Sequence, residues 1–168
     1  MHKHILVIGP SGSGKTYISA ALRAKGVNAP DADLIEGLSD WVDGSGKRVA
    51  YEVNAGKEFL DNHEFVWHKE FLINFLKDQK QIYLFGMSGN IFEMLDLFDE
   101  VYFLKAPPQL LAERLRHESR QNPMGRTDYQ LQNALNWAKT IEDRAKQAGI
   151  KMIDAAKSPE EILREISS

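Results

Sequence analysis

The chain has 168 residues, 43% of them hydrophobic and 27% charged, with 21 Lys and Arg against 24 Asp and Glu. That length suits one domain with its own core, and the balance lacks the basic surplus of a dedicated nucleic-acid binder. The absence of cysteine excludes disulfides, thiolate metal sites and cysteine nucleophiles.

No apolar run approaches the roughly 20 residues that span a bilayer. His2, Lys3 and His4 lead directly into a strand-like run with no signal-peptide core. A cytoplasmic protein, monomeric or homodimeric, is therefore expected. Residues 4–8 form a short branched apolar run that predicts a strand buried on both faces. From Lys15 to Lys25, Ile18, Ala21 and Leu22 follow helical spacing, and Gly26 supplies a stop. A short extended piece at 27–29 leads into Pro30-Asp31-Ala32-Asp33. Trp41-Val42 and Arg48-Val49 flank Asp43-Gly44-Ser45-Gly46, which reads as a hairpin. Between His63 and Lys77, pairs such as Trp67/Phe71 and Phe71/Phe75 predict a helix with a broad apolar face.

The second half alternates more regularly. Ile82–Phe85 predicts a strand ending at Gly86, and a short helix is expected from Asn90, with Glu93 as its capping partner. Val101–Leu104 predicts another strand, and Pro107-Pro108 opens a helix through Leu111 and Leu115. Asn122-Pro123-Met124-Gly125 breaks it, after which Thr127 and Gln130 suggest a capping box for a long helix ending at Gly149. Residues 150–153 predict the last strand, and Ser158-Pro159-Glu160-Glu161 starts the final helix with both a capping box and a first-turn proline. Strands alternating with helices imply a mainly parallel sheet covered on both faces.

The decisive segment is Gly9-Pro10-Ser11-Gly12-Ser13-Gly14-Lys15-Thr16. It matches G-x-x-x-x-G-K-[ST], between a predicted strand and a predicted helix, the context that a phosphate-binding P-loop requires. Its glycines let backbone N–H groups and a helix N-terminus converge on an anion. Lys15 adds a positive charge for the β- and γ-phosphates, and the Thr16 hydroxyl can ligate Mg²⁺. Gly44-Ser45-Gly46-Lys47 is half of such a motif without flanking elements and reads as a plain turn.

With these residues the chain resembles the small P-loop kinases, the group of nucleoside monophosphate kinases, shikimate kinase, gluconate kinase and dephospho-coenzyme A kinase. The resemblance implies a three-layer α/β/α fold with a five-stranded parallel sheet in the order 2-3-1-4-5, and ATP with Mg²⁺ as cofactors. It implies that Asp31 is catalytic, near Mg²⁺ and the attacking hydroxyl, where it orients or deprotonates the acceptor, while Asp33 hydrogen-bonds the acceptor's hydroxyls. The alternative is a turn after Pro30, with Asp33 capping the next helix. A Walker-B aspartate is missing after residues 82–85, where Gly86-Met87-Ser88-Gly89-Asn90 follows. That favours a kinase over a motor or GTPase, with Gly86 and Ser88 leaving room for an acceptor. The other reading is a turn capped by Asn90. No N-K-x-D-like segment is present, so ATP is expected rather than GTP.

The resemblance places a lid at about 118–128, where Arg120 and Arg126 are the catalytic candidates, with Arg114 approaching the nucleotide from its helix. Solvated surface charges are the alternative for each. Substrate choice is assigned to an insert at 34–76, in which Trp41, Arg48, Trp67, His68 and Lys69 offer stacking, anion contact and hydrogen bonds. Trp67, Phe71 and Phe75 equally suit a core, and His68 a satisfied helix residue. Residues 154–157 are a candidate adenine border. The expected reaction is transfer of the γ-phosphate of ATP to a hydroxyl or phosphate of a small metabolite, such as a nucleoside, nucleotide or shikimate- or gluconate-like acid. The alternatives are a P-loop ATPase or switch acting on a protein partner, and a nucleic-acid end kinase, which the acidic balance disfavours.

Overall fold

A computed structural model describes residues 1–51, 57–117 and 128–168. Its main sheet is parallel and contains β1 (Lys3–Ile8), β5 (Gln81–Phe85), β6 (Glu100–Lys105) and β7 (Lys151–Asp154), in the order β5-β1-β6-β7. Ile5, Leu6, Val7 and Ile8 are all fully buried, as a central strand covered on both faces requires.

Alternation along β1 divides the core into two. Ile5 and Val7 pack with Tyr83 and Phe85 against Ile18 and Leu22 of α1 (Lys15–Ala24) and Ile162 and Ile166 of α6 (Pro159–Ser167). Leu6 and Ile8 face the other way. They join Leu84 and Phe103 against Leu72 and Leu76 of α3 (Lys69–Lys77) and Ile141 and Ala145 of α5 (Asp128–Gln147). The remaining long helical segment of the second half is α4 (Pro108–Arg116), opened by the predicted proline pair. The Ser158 capping box is present in full.

Four expectations are corrected. The main sheet has four strands among the described residues, not five. The segment expected as a further strand makes only an isolated parallel bridge, Asp31 to Phe85, with Asn28 and Pro30 carbonyls accepting from Tyr83 and Phe85 N–H groups. Pro30 has no N–H to give to a ladder, and the chain turns at once into a 3₁₀ turn at Ala32–Leu34. The predicted helix from His63 begins instead at Lys69. Residues His63–Trp67 form β4, antiparallel to β2 (Ser39–Asp43), which also pairs with β3 (Arg48–Val49) across the predicted hairpin. A short helix α2 (Lys57–Asn62) precedes β4.

The segment after Asn90 forms two 3₁₀ turns, Ile91–Glu93 and Leu95–Leu97. The Asn90 side chain makes no cap bond there. It instead brackets the Trp67 backbone, its Oδ1 accepting from Trp67 N–H and its Nδ2 donating to Trp67 C=O, both at 2.9 Å. The Thr127 cap and the 122–125 break lie outside the described residues.

Candidate active site

The loop 9–16 leaves the C-terminal end of β1 and enters α1. Gly12 and Gly14 take φ values of 87° and 98°, where a side chain is strained. Gly9 is required by contact, since a Cβ there would lie 2.8 Å from Ser13 Oγ and 3.1 Å from Leu104 Cβ. Gly14 caps α1 with no side-chain bond, so the first-turn amides are directed at the loop. Lys15 Nζ donates to the Gly9 and Pro10 carbonyls at 2.6 and 2.9 Å and lies 3.5 Å from Ser13 Oγ. Its ammonium therefore lies across the loop. Uncapped amides, left-handed glycines and that ammonium together fit a polyphosphate.

Thr16 and Asp31, fifteen residues apart, meet directly: Thr16 Oγ1 donates to Asp31 Oδ2 at 2.7 Å. The other Asp31 oxygen accepts from the Asp33 backbone N–H at 2.9 Å, which starts the 3₁₀ turn. The cap of that turn is thus Asp31, not Asp33. Asp31 is 3% exposed, and its paired oxygens beside the Thr16 hydroxyl form the hard oxygen set that Mg²⁺ takes. Asp33 is exposed at the turn but has protein around its carboxyl. Its carboxyl is pushed above the ordinary value by desolvation and by the Asp31 charge, against an opposing pull from Lys15. Arg114, in the last turn of α4, reaches the loop: its Nη1 donates to Gly12 C=O at 3.2 Å.

The segment 86–90 is filled differently from the expectation. A Cβ on Gly86 would lie 2.5 Å from Ala32 Cβ and 2.6 Å from Trp67 Cζ2, and one on Gly89 would strike the Glu64 carboxylate. These glycines admit β4 to the end of β5, so the space beside them holds protein side chains. Ser88 is buried, and its hydroxyl donates to Asn90 Oδ1 at 2.9 Å. Trp67 is a core residue at 1% exposure.

Arg48 lies on the edge strand β3, its Nε 2.6 Å from Asp40 Oδ1, while His68 Nε2 donates to Asp40 Oδ2 at 2.7 Å. Asp40, which joins them, has no sequence signal to single it out. In the loop after β7, the Ala156 N–H donates to Asp154 Oδ1. Arg120 and Arg126 lie outside the described residues. The site therefore unites Lys15, Thr16, Asp31, Asp33 and Arg114.

The profile of the AAA domain family matches residues 5–135. The chain belongs to that family. Its fold is that of the small P-loop kinases. A gluconokinase from Sinorhizobium meliloti 1021 aligns over 98% of this chain and 89% of its own, with 21% identity and a TM-score of 0.53. A shikimate kinase from Acinetobacter baumannii, solved with shikimate, aligns over 99% and 94%, with 19% identity and a TM-score of 0.60. A deoxyadenosine kinase from M. mycoides, solved with dATP, aligns over 98% and 100%, with 16% identity and a TM-score of 0.61. No curated protein matches the sequence at a significant level.

Proposed function

We propose that the chain is an ATP-dependent phosphotransferase that moves the γ-phosphoryl group to a hydroxyl or phosphate of a small metabolite. The observation that carries this reading is the hydrogen bond of Thr16 to Asp31, with Asp33 two residues on. It brings the Thr16 hydroxyl and the Asp31 carboxylate together beside the glycine loop, with a second carboxylate two residues on. A cytoplasmic setting suits a cysteine-free chain.

The loop amides, Lys15 and the α1 N-terminus hold the phosphates of ATP. Thr16 and Asp31 are the residues that would hold Mg²⁺, which would supply positive charge to the phosphate oxygens. Asp31 has both oxygens engaged internally, so its role is to orient Thr16 and the metal. Asp33 is exposed beside Asp31 with a carboxyl of raised basicity, so it is the group that takes the acceptor proton. For a hydroxyl acceptor, the oxygen bonds to the γ-phosphorus and the bond to the β–γ bridging oxygen breaks. ADP leaves, and the hydroxyl proton passes to Asp33. Arg114 fixes the loop through Gly12, and Arg120 and Arg126 remain proposed lid charges for the transferred group.

The test is ADP release, measured with ATP and Mg²⁺ across nucleosides, nucleotides, sugar acids and cyclic hydroxy acids. The proposal expects ADP formation that rises with one acceptor class and disappears in Lys15→Met. ADP formation independent of every acceptor would instead support a P-loop ATPase.

A further inference from the structure

Three hydrogen bonds join α1 to the segment that leads into Asp31. The Leu22 carbonyl accepts from Val27 N–H at 3.1 Å. The Ser19 hydroxyl donates to the Ala29 carbonyl at 2.7 Å, and Thr16 Oγ1 donates to Asp31 Oδ2 at 2.7 Å. The helix contributes every third residue, which are neighbours along its surface, and the segment contributes every second one. Helix and segment thus run as an antiparallel ladder whose last rung is the Thr16–Asp31 contact.

The middle rung is the unusual one. Ser19 is fully buried on α1, whose other buried residues are Ile18 and Leu22. A serine favours neither a helix interior nor an apolar core, and in a helix its hydroxyl commonly bonds back to a carbonyl of the preceding turn. Here the hydroxyl crosses to Ala29 instead. An alanine would suit both helix and core, but it would leave the buried Ala29 carbonyl without this donor.

That carbonyl belongs to a segment with few other anchors. The Asn28 and Pro30 carbonyls accept from Tyr83 and Phe85 of β5, but Pro30 has no N–H and Asp31 makes only an isolated bridge. The β5 bonds hold the side of the segment toward the sheet, and Ser19 holds the side toward α1. The Thr16 rung is not sufficient by itself, since its oxygen is also the one that would bind Mg²⁺. Ser19 lies outside the loop 9–16 and is fully buried, so its hydroxyl is a ligand for neither metal nor phosphate.

We infer that Ser19 is a positioning residue for the Mg²⁺ site: by holding the Ala29 carbonyl to α1, it keeps the Asp31 carboxylate opposite the Thr16 hydroxyl. This rests on the phosphotransferase reading and adds to it a residue outside both the loop motif and the Asp31–Asp33 pair. The test is calorimetric titration of the full chain with ATP, once in excess Mg²⁺ and once in EDTA. Ser19→Ala should weaken binding in Mg²⁺ by about 10-fold or more, the scale on which residues that orient metal ligands act. Binding in EDTA should stay unchanged. Ser19→Cys keeps the shape of the side chain with a weaker donor. It should shift binding in Mg²⁺ in the same direction, and it carries the test if Ser19→Ala fails to fold. Ile141→Val thins the core on the opposite face of the sheet and should leave both affinities unchanged, which separates positioning from a general loss of stability.

Undiminished binding in Mg²⁺ by the Ser19 variants overturns the inference and leaves the phosphotransferase reading standing. An equal fall in Mg²⁺ and in EDTA also overturns it, because Ser19 then supports the whole loop rather than the metal site. So does a matching fall in Ile141→Val. If the unmodified protein binds no ATP under either condition, the phosphotransferase reading is removed and the inference falls with it.

Discussion

Thr16 and Asp31 are joined by one hydrogen bond of 2.7 Å, which links the phosphate loop to the turn that carries Asp33. Because Asp31 is almost fully buried, losing that donor leaves a carboxylate oxygen unpaired in a poorly solvated place. A hydrogen bond to a charged group contributes about 1.5–3 kcal/mol. Thr16→Val should therefore destabilise the protein on that scale and weaken Mg²⁺-dependent ATP binding by at least ~10-fold. Thr16→Ser should preserve both. Calorimetric titration of ATP at fixed Mg²⁺ checks it, and wild-type affinity in Thr16→Val would remove the metal-site assignment.

Asp33 gives a pH signature. Its carboxyl is raised by burial and by the neighbouring Asp31 charge, so the proton is released later than from an ordinary aspartate. Turnover that needs the carboxylate should fall as pH drops through that raised value, and Asp33→Asn should abolish the acid limb together with most of kcat. The stability sign runs the other way. The folded state binds this proton more tightly than the unfolded chain, so the ionised group opposes folding above the folded pKa and costs nothing below the unfolded one. Asp33→Asn should consequently raise Tm at pH 7 and lose that advantage at strongly acid pH. A lower Tm at pH 7 would contradict the assignment.

Arg114 is the described arginine that touches the loop, through the Gly12 carbonyl at 3.2 Å. Arg114→Ala should lower kcat by at least ~10-fold, equivalent to about 1.4 kcal/mol of transition-state stabilisation. Acceptor KM should stay nearly constant. Steady-state kinetics at saturating Mg²⁺ decide between this and a solvated surface charge, for which kcat would not change.

Gly86 and Gly44 form a matched pair for stability. A methyl on Gly86 meets Ala32 and Trp67 at 2.5 and 2.6 Å, whereas one on Gly44 meets nothing within 4 Å. Gly86→Ala should cost about 1–3 kcal/mol through overpacking, and Gly44→Ala should stay within about 0.5 kcal/mol. Urea unfolding measures both. Equal stability of the two variants would mean that the contact between β4 and the end of β5 is loose.

The strand–loop–helix of residues 3–24 was legible in the sequence because one motif fixes glycines, lysine and threonine in order, and buried branched residues lead into it. The helix starts at Pro108 and Pro159 were equally legible, since proline and capping residues act locally. Residues 63–67 were not. Trp67, Phe71 and Phe75 are spaced as on a helix, but the partner strand 39–43 is distant in sequence and leaves no local mark. Gly86 and Gly89 signalled close approach without naming what approaches, and the answer is Trp67 and Glu64 rather than a ligand. Asn90 looked like a cap, yet its amide pairs with the Trp67 backbone as a strand would. Asp31 stood out in the sequence by its place after the loop and Pro30, and the structure brings it to Thr16. That both its oxygens are held internally, leaving Asp33 the outward carboxylate, depends on the fold of the turn.

If residues 9–16 hold the phosphates of ATP, then ATP with Mg²⁺ must raise the temperature at which the protein unfolds. At a ligand concentration near 100 Kd the folded state gains about 2.7 kcal/mol, which for a chain of this size raises Tm by roughly 5–10 °C. That shift should be present in the unmodified protein and lost in Lys15→Met, whose own Tm without ligand stays near that of the parent. No shift in the unmodified protein at saturating ATP and Mg²⁺, or an undiminished shift in Lys15→Met, would contradict it.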